Sequence, residues 1–214
     1  MKNFKIFLII FLIIISCNYN NKNNSISKIK DRAGNDIIIP KKIEKIICLS
    51  PSITEILIEI EEEDKIISVD SYSKEILEKN NISTSNMQIF DMMNPDVEKI
   101  ISLKPDIIFV NTFSVFSAKN SVDAIKNLGL SVAVIPNSDT LIAIEEDIYF
   151  LGEVLKLKDA SKKVISKMQI NIEKIKSIGD KITNKKSVYF EIGAMPNLYT
   201  FGCNVYLDDM INII

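Results

Sequence analysis

The 214-residue chain contains no histidine, and this absence removes many classes of enzyme at once. Histidine is the commonest general base and the commonest metal ligand in proteins. A Ser-His or Cys-His nucleophile pair cannot be assembled, and neither can a histidine-rich zinc site. Catalysis by carboxylates or by lysine stays open, but no pair of such residues has a convincing spacing. The sequence therefore indicates a protein that is not an enzyme.

Tryptophan is also absent, and only 6 glycines are present. Neither GxGxxG nor GxxxxGK[ST] occurs, so the chain lacks the glycine-rich loops that cradle nucleotide phosphates. The 26 basic and 28 acidic residues give a formal net charge of −2, with no basic stripe. Nucleic acid is therefore not an expected partner. Hydrophobic residues make up 47% of the chain, which is enough for a packed core.

The N-terminus has the pattern of a lipoprotein leader, residues 1–17. Lys2 and Lys5 precede an apolar run that is too short to span a bilayer as a helix. The run ends in Ile-Ile-Ser-Cys, which resembles the bacterial lipobox, although Ile14 stands where that pattern more often has leucine. This interpretation makes Cys17 the lipidated residue and the membrane anchor. An ordinary N-terminal anchor helix is the alternative.

Residues 18–30 are mostly asparagine, lysine and serine, and this composition predicts a flexible tether. The turn residues 31–35 then separate Ile29 from the apolar run 37–39, which predicts a small β-hairpin. Order in the chain is expected to begin near this hairpin.

The stretch MNPDVEKIISLKPDIIFV, residues 93–110, predicts a helix followed by a buried strand. Pro95 suits the first turn of the helix, and Asn94 suits its N-cap. Pro105 stops the helix, because the residue before a proline is pushed out of the helical region. The apolar run 107–110 is typical of a strand that is covered on both faces.

The same alternation of strand and helix extends over residues 31–137. Strands are predicted at 46–49, 66–69, 88–90, 107–110 and 132–135, with helices at 53–60, 74–79, 95–103 and 122–128. Ser52 is the predicted N-cap of the first helix. Short connections and this alternation argue for a doubly wound parallel sheet that forms an N-terminal lobe. Ligands of such sheets bind beyond the carboxyl ends of the strands.

Two helices without an intervening strand are predicted in residues 138–184, beginning near Ser138 and Asp159. The segment is much longer than an ordinary crossover and is interpreted as a link between two lobes. Residues 185–214 predict a strand at 187–191, a loop, and a helix from Tyr206. The predicted fold class is α/β: a doubly wound parallel N-terminal lobe, a long linking helix and an incomplete second α/β lobe. Two elements alone cannot bury a core.

Six segments from Asp31 onward together resemble a binding lipoprotein of an ABC importer. They are DRAGNDIIIP, IICLSPSITEIL, SVDSYS, MNPDVEKIISLKPDIIF, DIYFLGEVL and VYFEIGAMPNLYTFG. The family class is the one that captures ferric siderophores, haem or cobalamin between two lobes joined by a long helix. Compared with that class, most of the second lobe is missing. An interrupted gene, a second chain that completes the lobe, and a nonfunctional product are the three explanations.

The resemblance implies a ligand between the lobes, contacted from the carboxyl ends of the strands. The implied contacts are Ser50, Pro51, Ser52, Tyr72, Met92, Asn111 and Thr112 in the first lobe, and Met195 and Tyr199 in the second. A turn and cap is the alternative role for residues 50–52, and core packing is the alternative for Met92. If haem is the ligand, Tyr72 or a methionine is a candidate axial ligand.

The resemblance also implies that Glu98 pairs with arginines of the permease, whereas a solvated helix charge is the alternative. The expected protein is exported and lipid-anchored in the cell envelope, on the periplasmic side or the outer surface. It binds a chelated metal compound and passes it to an ABC permease and its ATPase. No cofactor or protein-bound metal is expected, since a ligand that brings its own metal coordination needs no histidine.

A surface interaction lipoprotein without a small-molecule ligand is the alternative function. The export route would permit a disulfide between Cys48 and Cys203. Because Cys48 lies inside a predicted strand, a buried free thiol is the favoured interpretation.

Overall fold

The computed structural model describes residues 27–214. The leader, the lipidation site Cys17 and most of the predicted tether lie outside these residues. The strands of the described range are β1 (Ser27–Lys30), β2 (Asp36–Ile39), β3 (Ile46–Leu49), β4 (Ile66–Asp70), β5 (Gln88–Phe90), β6 (Ile107–Asn111) and β7 (Val132–Ile135). Its α-helices are α1 (Pro51–Glu59), α2 (Ser71–Lys79), α3 (Val97–Leu103), α4 (Thr112–Ser117), α5 (Lys119–Asn127), α6 (Leu141–Val154), α7 (Lys158–Gly179) and α8 (Tyr206–Asn212).

Five parallel strands form the central sheet, in the order β5-β4-β3-β6-β7. The chain enters at β3 in the middle, moves outward to β4 and β5, and then crosses to β6 and β7 on the other side. The direction of winding therefore reverses between β3 and β6. The predicted doubly wound parallel sheet is confirmed, and so are all five of its predicted strands.

Helices cover both faces of the sheet, and β3, β6 and β7 are buried along their whole length. On one face, Leu57 of α1, Leu77 of α2 and Leu151 of α6 belong to a single buried cluster. On the other face, Ile100 of α3 and Ile125 of α5 belong to a second cluster. Complete burial of such strands is what parallel sheets require.

The helix predicted at residues 95–103 begins later than predicted. Asp96, not Asn94, is the N-cap of α3, and its carboxylate accepts a hydrogen bond from the Lys99 amide at 3.1 Å. Aspartate and asparagine are about equal as N-caps, and Asp96 lies only two residues after Asn94. Pro95 precedes the helix and is buried. The prediction of Asn94 as the cap was therefore wrong.

Two other helix starts differ from the prediction. Ser50 is the N-cap residue of α1 and Pro51 is its first residue, so Ser52 lies inside the helix and does not cap it. Proline is well suited to that first position. The short helix α4, directly after β6, was not predicted, and Asn111 caps it through a hydrogen bond from the Ser114 amide at 2.7 Å.

The hairpin of β1 and β2 is confirmed, with β1 already starting at Ser27 inside the predicted tether range 18–30. Its turn is attached to the lobe at two points. The Asp31 carboxylate accepts from the Val134 amide at 2.9 Å, and Arg32 pairs with Asp147 of α6 at 2.7 Å. Arg32 also pairs with Glu146 at 2.7 Å. The hairpin therefore joins β7 to the first linking helix.

The linking helices α6 and α7 pack against each other across a tight corner. Gly152 of α6 is buried, and a Cβ atom built on it would lie 2.2 Å from the Ser161 Oγ of α7. Lys156 turns the corner with a φ of 62°. A single surface ion pair, Lys167 to Glu59 at 2.9 Å, connects α7 to α1. In residues 27–214, no helix combines the length and the hydropathy needed to cross a membrane.

The predicted strand at 187–191 does not form. Residues 185–192 are exposed, and the only β-type pairing described in the segment 185–214 is an isolated bridge between Gly193 and Tyr199. A strand needs a neighbour for its backbone hydrogen bonds, and this segment pairs with none of the strands of the sheet. The helix predicted from Tyr206 is present as α8, and the Leu141 amide donates to Asp209 at 3.1 Å.

Candidate functional site

The carboxyl ends of β4, β3 and β6 lie side by side in the sheet, and each is followed directly by a helix. The winding reverses between β3 and β6, and in open α/β sheets such a switch point is where a crevice forms. The Ser114 hydroxyl of α4 donates to the Leu49 carbonyl of β3 at 3.3 Å, which ties the two sides of the switch point together. The structure thus brings the predicted residues at 50–52, 72 and 111–112 to one edge.

At the end of β3, the polar groups mostly serve the turn. Ser50 is fully buried, and its Oγ lies 3.2 Å from the Oγ of Ser52. The Thr54 hydroxyl donates to the Ser50 carbonyl at 3.1 Å. Pro51 is half-buried, whereas Ser52 is exposed at the edge. Of these predicted contacts, Ser52 is the one whose side chain is accessible to a ligand.

At the end of β4, the buried carboxylate of Asp70 caps α2. It accepts hydrogen bonds from the Tyr72 amide at 2.8 Å, from the Ser73 amide at 3.1 Å and from the Ser73 hydroxyl. This capping satisfies Asp70 inside the protein and fixes the first turn of α2. The Tyr72 side chain is left 60% exposed at the edge.

At the end of β6, Asn111 is buried, and its carbonyl oxygen is used to cap α4. Thr112 is exposed. The helix carries two phenylalanines that the sequence reasoning missed: Phe113 is 43% exposed and Phe116 is 87% exposed. The available signal was a pair of aromatic residues three positions apart directly after a buried strand, which places both in the first turns of a helix.

At the end of β5, Asp91 forms a turn by accepting from the Met93 amide at 2.8 Å. Met92 packs against the core cluster of α3 and α5, which supports the packing alternative for this predicted contact. Met93 is 49% exposed and is the accessible thioether at this end of the sheet.

The predicted contacts of the second lobe are not packed against this edge. Met195 is 75% exposed and Tyr199 is 58% exposed, and the Tyr199 ring lies beside Gly193 of its own loop. A cavity of about 570 Å³ does lie between α6, α7 and the terminal segment, with Phe190 and Phe201 in its wall. None of the predicted ligand contacts lines this cavity.

The chain has a single arginine, Arg32, and its partner Asp147 also accepts a hydrogen bond from the Ser138 hydroxyl just after the end of β7. Burial acts to lower the pKa of Arg32, but the hydrogen bonds and charges of Asp147 and Glu146 together outweigh it, so the pKa is raised above its ordinary value. Near the edge, Lys74 of α2 pairs with Glu78 at 2.7 Å. The edge itself, at residues 50–52, 70–73, 91–93 and 111–114, contains no lysine or arginine.

Cys48 is fully buried in β3, and the prediction of a buried free thiol is confirmed. Burial raises the pKa of its thiol to about 12, although hydrogen bonds from Thr54 and to Ser50 act in the opposite direction. Cys203 is exposed and free, so the disulfide that the sequence permitted is not formed. Among residues 27–214, no group of three or more acidic or cysteine side chains could hold a metal ion.

Glu98 lies exposed in the first turn of α3, as predicted for the solvent-facing side of that helix. It follows the cap residue Asp96, whose pKa is lowered by the hydrogen bond from the Lys99 amide and by the Lys99 side chain. The Lys99 ammonium lies 3.3 Å from Asp96. The Glu98 carboxylate is thus accessible on an acidic helix start.

Curated relatives of this chain are substrate-binding proteins. The chain is 27% identical over 191 residues to the uncharacterized ABC transporter substrate-binding lipoprotein YvrC of Bacillus subtilis (strain 168), covering 87% of this chain and 58% of that protein. It is 25% identical over 122 residues to the iron-uptake system-binding protein of the same organism, covering 56% of this chain and 36% of that protein. The chain therefore spans little more than half of these relatives at most.

Solved structures show the same fold. A possible iron-binding (periplasmic solute-binding) protein from Staphylococcus epidermidis ATCC 12228 matches with a TM-score of 0.70 at 24% identity, over 81% of this chain and 66% of that one. The periplasmic heme-binding protein RhuT from Roseiflexus sp. RS-1 matches with a TM-score of 0.64 at 21% identity, over 80% of this chain and 64% of that one. The family model described as periplasmic binding protein matches residues 46–214, and the chain belongs to that family.

Proposed function

We propose that this chain is the substrate-binding lipoprotein of an ABC importer. It captures a chelated metal compound, such as a ferric siderophore, haem or cobalamin, and delivers it to a permease and its ATPase. The observation that carries the proposal is the edge at the switch point of the sheet. There, three adjacent strand ends expose Ser52, Tyr72, Thr112 and the two phenylalanines of α4 in a member of the periplasmic binding protein family.

The similar proteins named above support the same conclusion. They are a substrate-binding lipoprotein, an iron-uptake protein and a heme-binding protein. A ligand that carries its own metal coordination also suits a chain without histidine. The groups at the edge offer shape, aromatic contact and a few hydroxyls, which is what a ligand pocket for such a compound requires.

Export and anchoring through Cys17 are part of this proposal. Two acyl chains on that cysteine would hold the protein stably at a membrane surface, with the binding lobe in the cell envelope. Metabolic labelling with a radioactive fatty acid is the direct measurement. Label is expected in the wild-type chain and not in the variant Cys17→Ala.

Ligand capture is tested by titrating the full chain with three coloured compounds: ferric protoporphyrin, cyanocobalamin and a ferric tris-catecholate. Saturable binding of at least one is expected, with a stoichiometry near one. A surface interaction lipoprotein without a small ligand predicts that none of them saturates. That result would overturn the proposed function.

Docking to the permease is tested through Glu98, whose exposed carboxylate can form a charge-assisted pair with arginine. Glu98→Arg is expected to leave ligand affinity unchanged and to weaken binding to membranes that carry the cognate permease by roughly tenfold or more. Glu75→Arg, at an exposed position of α2 on the other face of the sheet, is the matched control. Equal docking by both variants would contradict the role of Glu98.

A further inference from the structure

The largest side chains left accessible at the switch-point edge are aromatic. Asp70, Asp91 and Asn111 all use side-chain oxygens to bind backbone amides of the turn or helix that follows them. Asp70 and Asn111 are thereby committed inside the protein, whereas the Asp91 carboxylate stays exposed. The exposed remainder is dominated by Tyr72 at the end of β4 and by the phenylalanines of α4 at the end of β6.

These aromatic side chains flank the switch point from opposite faces of the sheet. Leu77 of α2 packs in the cluster with α1, whereas Ala118, which follows α4, packs in the cluster with α5. Only β3 separates β4 from β6, so their ends are about 10 Å apart at the usual strand spacing. A flat ligand lying across the end of β3 can therefore contact both groups.

The charge at this edge does not suit a polyanionic ligand. Carboxylates and catecholates are recognised in proteins mainly by the bidentate guanidinium group of arginine. The single arginine of the chain, Arg32, is bound to Glu146 and Asp147 at 2.7 Å each. Lys74, the lysine that follows the β4 edge, is paired with Glu78.

We infer that Phe113 and Phe116 of α4, with Tyr72 opposite them, select chelates that present a flat, uncharged, conjugated face, and that this edge discriminates against polyanionic ferric chelates. The inference rests on the proposed function and adds the class of ligand and the residues that set it. The energy of selection comes from stacking and from burial of the phenylalanine rings, which are exposed without ligand. Iron ligation is not required for this selection.

The test uses the full chain and three probes. Ferric protoporphyrin and metal-free protoporphyrin share a conjugated face and carry their two carboxylates at one side of the ring, where these groups can stay in solvent. Ferric citrate is a polyanionic chelate without such a face. Both porphyrins are expected to bind with affinities within about threefold of each other, because stacking does not depend on the metal. Ferric citrate is expected to bind at least roughly tenfold more weakly, since no cation at the edge compensates its charge.

The variants address the phenylalanines directly. Phe116→Ala is expected to weaken binding of metal-free protoporphyrin roughly fivefold to tenfold, and Phe113→Ala/Phe116→Ala to weaken it further. Phe116→Tyr should restore most of the affinity, because the ring is kept. Tyr149→Ala, which removes an exposed aromatic side chain of α6 away from the edge, is the control and should not change the affinity. All of these side chains are at least 41% exposed, so folding should be unaffected.

The outcomes separate the inference from the proposed function. Tighter binding of ferric citrate than of either porphyrin would overturn the inference while leaving capture of a chelate intact. An unchanged affinity for porphyrin in the double variant Phe113→Ala/Phe116→Ala would also overturn the inference. If no probe binds, including the three compounds of the capture test above, both the inference and the proposed function fail.

Discussion

Two apolar runs of this chain have similar sequences and different structures. IIFV at 107–110 is fully buried in β6, which pairs with β3 on one side and with β7 on the other. VYF at 188–190 is not a strand, and its side chains are 63%, 68% and 46% exposed. The difference shows that an apolar run becomes a strand only where neighbours supply its hydrogen bonds and cover its faces.

The burial of side chains decreases along the linking helices, which lie between these two regions in the sequence. In α6, Leu151 is fully buried, and at the start of α7 so is Ser161. Further along α7, apolar side chains lose their cover, with Ile170 68% exposed and Ile178 54% exposed. Packing therefore weakens along the chain from the first lobe toward the terminal segment.

Removing one phenylalanine ring from each region tests this contrast most strongly. Phe109→Ala in β6 deletes a fully buried ring and is expected to lower the free energy of unfolding by about 3–5 kcal/mol. Phe190→Ala, at a half-exposed ring that contacts Phe201 at 5.4 Å, is expected to cost less than about 1 kcal/mol. Urea denaturation followed by circular dichroism measures both. Similar losses for the two variants would contradict the contrast.

The attachment of the hairpin to α6 gives the next largest expected effect. Arg32→Met leaves the nearly buried carboxylate of Asp147 without its ion pair, at a cost of about 1–3 kcal/mol. Lys28→Met is the matched control, because Lys28 pairs with Asp36 on the exposed surface at 3.1 Å, and loss of this pair should leave the stability nearly unchanged. Arg32→Met/Asp147→Asn should recover part of the loss. If Arg32→Met is as stable as Lys28→Met, the ion pair between Arg32 and Asp147 does not stabilise the fold.

The raised pKa of the buried Cys48 thiol leads us to expect a loss of stability at high pH. Its thiol has a pKa of about 12 when folded, against an ordinary value of 9.0, so the folded chain keeps a proton that the unfolded chain releases. Between pH 9 and 12 the free energy of unfolding should therefore fall by about 1.4 kcal/mol per pH unit from this group. Cys48→Ala should remove this part of the slope, measured as the difference between the two chains. Parallel slopes would contradict the prediction.

The two described cysteines also compare the two regions directly. At pH 8, an alkylating reagent should modify exposed Cys203 quickly and buried Cys48 only after unfolding. Peptide mass spectrometry assigns each site. Rapid modification of Cys48 in the folded chain would show that the first lobe opens more easily than its packing indicates.

The ion pair between α7 and α1 should have the smallest effect. Lys167 and Glu59 are 2.9 Å apart, but their side chains are 68% and 52% exposed. Lys167→Ala is therefore expected to change the free energy of unfolding by less than about 0.5 kcal/mol. A larger loss in urea denaturation would mean that α7 is held to the lobe more firmly than its exposure implies.

Strands were predictable from the sequence wherever a short apolar run ended in turn residues. The limits of β3, β5 and β7 agree with the prediction to the residue, and β4 and β6 each extend by one polar residue. Wrong predictions had two causes: neighbouring residues that can each cap a helix, and strand pairing that depends on distant parts of the chain. Asn94 and Asp96 are comparable caps, and their local sequence does not rank them. The strand predicted at 187–191 does not form because strand pairing depends on distant segments of the chain, and a local sequence pattern carries no information about them.

The candidate site was predictable in position and less so in composition. A polar turn after a buried strand located Ser50, Tyr72 and Asn111 at one edge, as the order of the strands shows. The sequence could not show that the side-chain oxygens of Asn111 and Asp70 would cap the helices that follow them. Phe113 and Phe116 were missed because α4 begins directly after its strand without a loop. Its residues were therefore interpreted as a turn and not as the start of a helix.

The corner between α6 and α7 makes the far end of α7 sensitive to small changes at its base. With 22 residues, α7 is about 33 Å long, so a tilt of about 10° displaces its tip by about 6 Å. Its angle is set where Gly152 touches Ser161, and even one added methyl group cannot fit there without rotation of the helix. A larger residue at position 152 would therefore change the tilt of α7, and the terminal segment that follows its tip would be displaced with it.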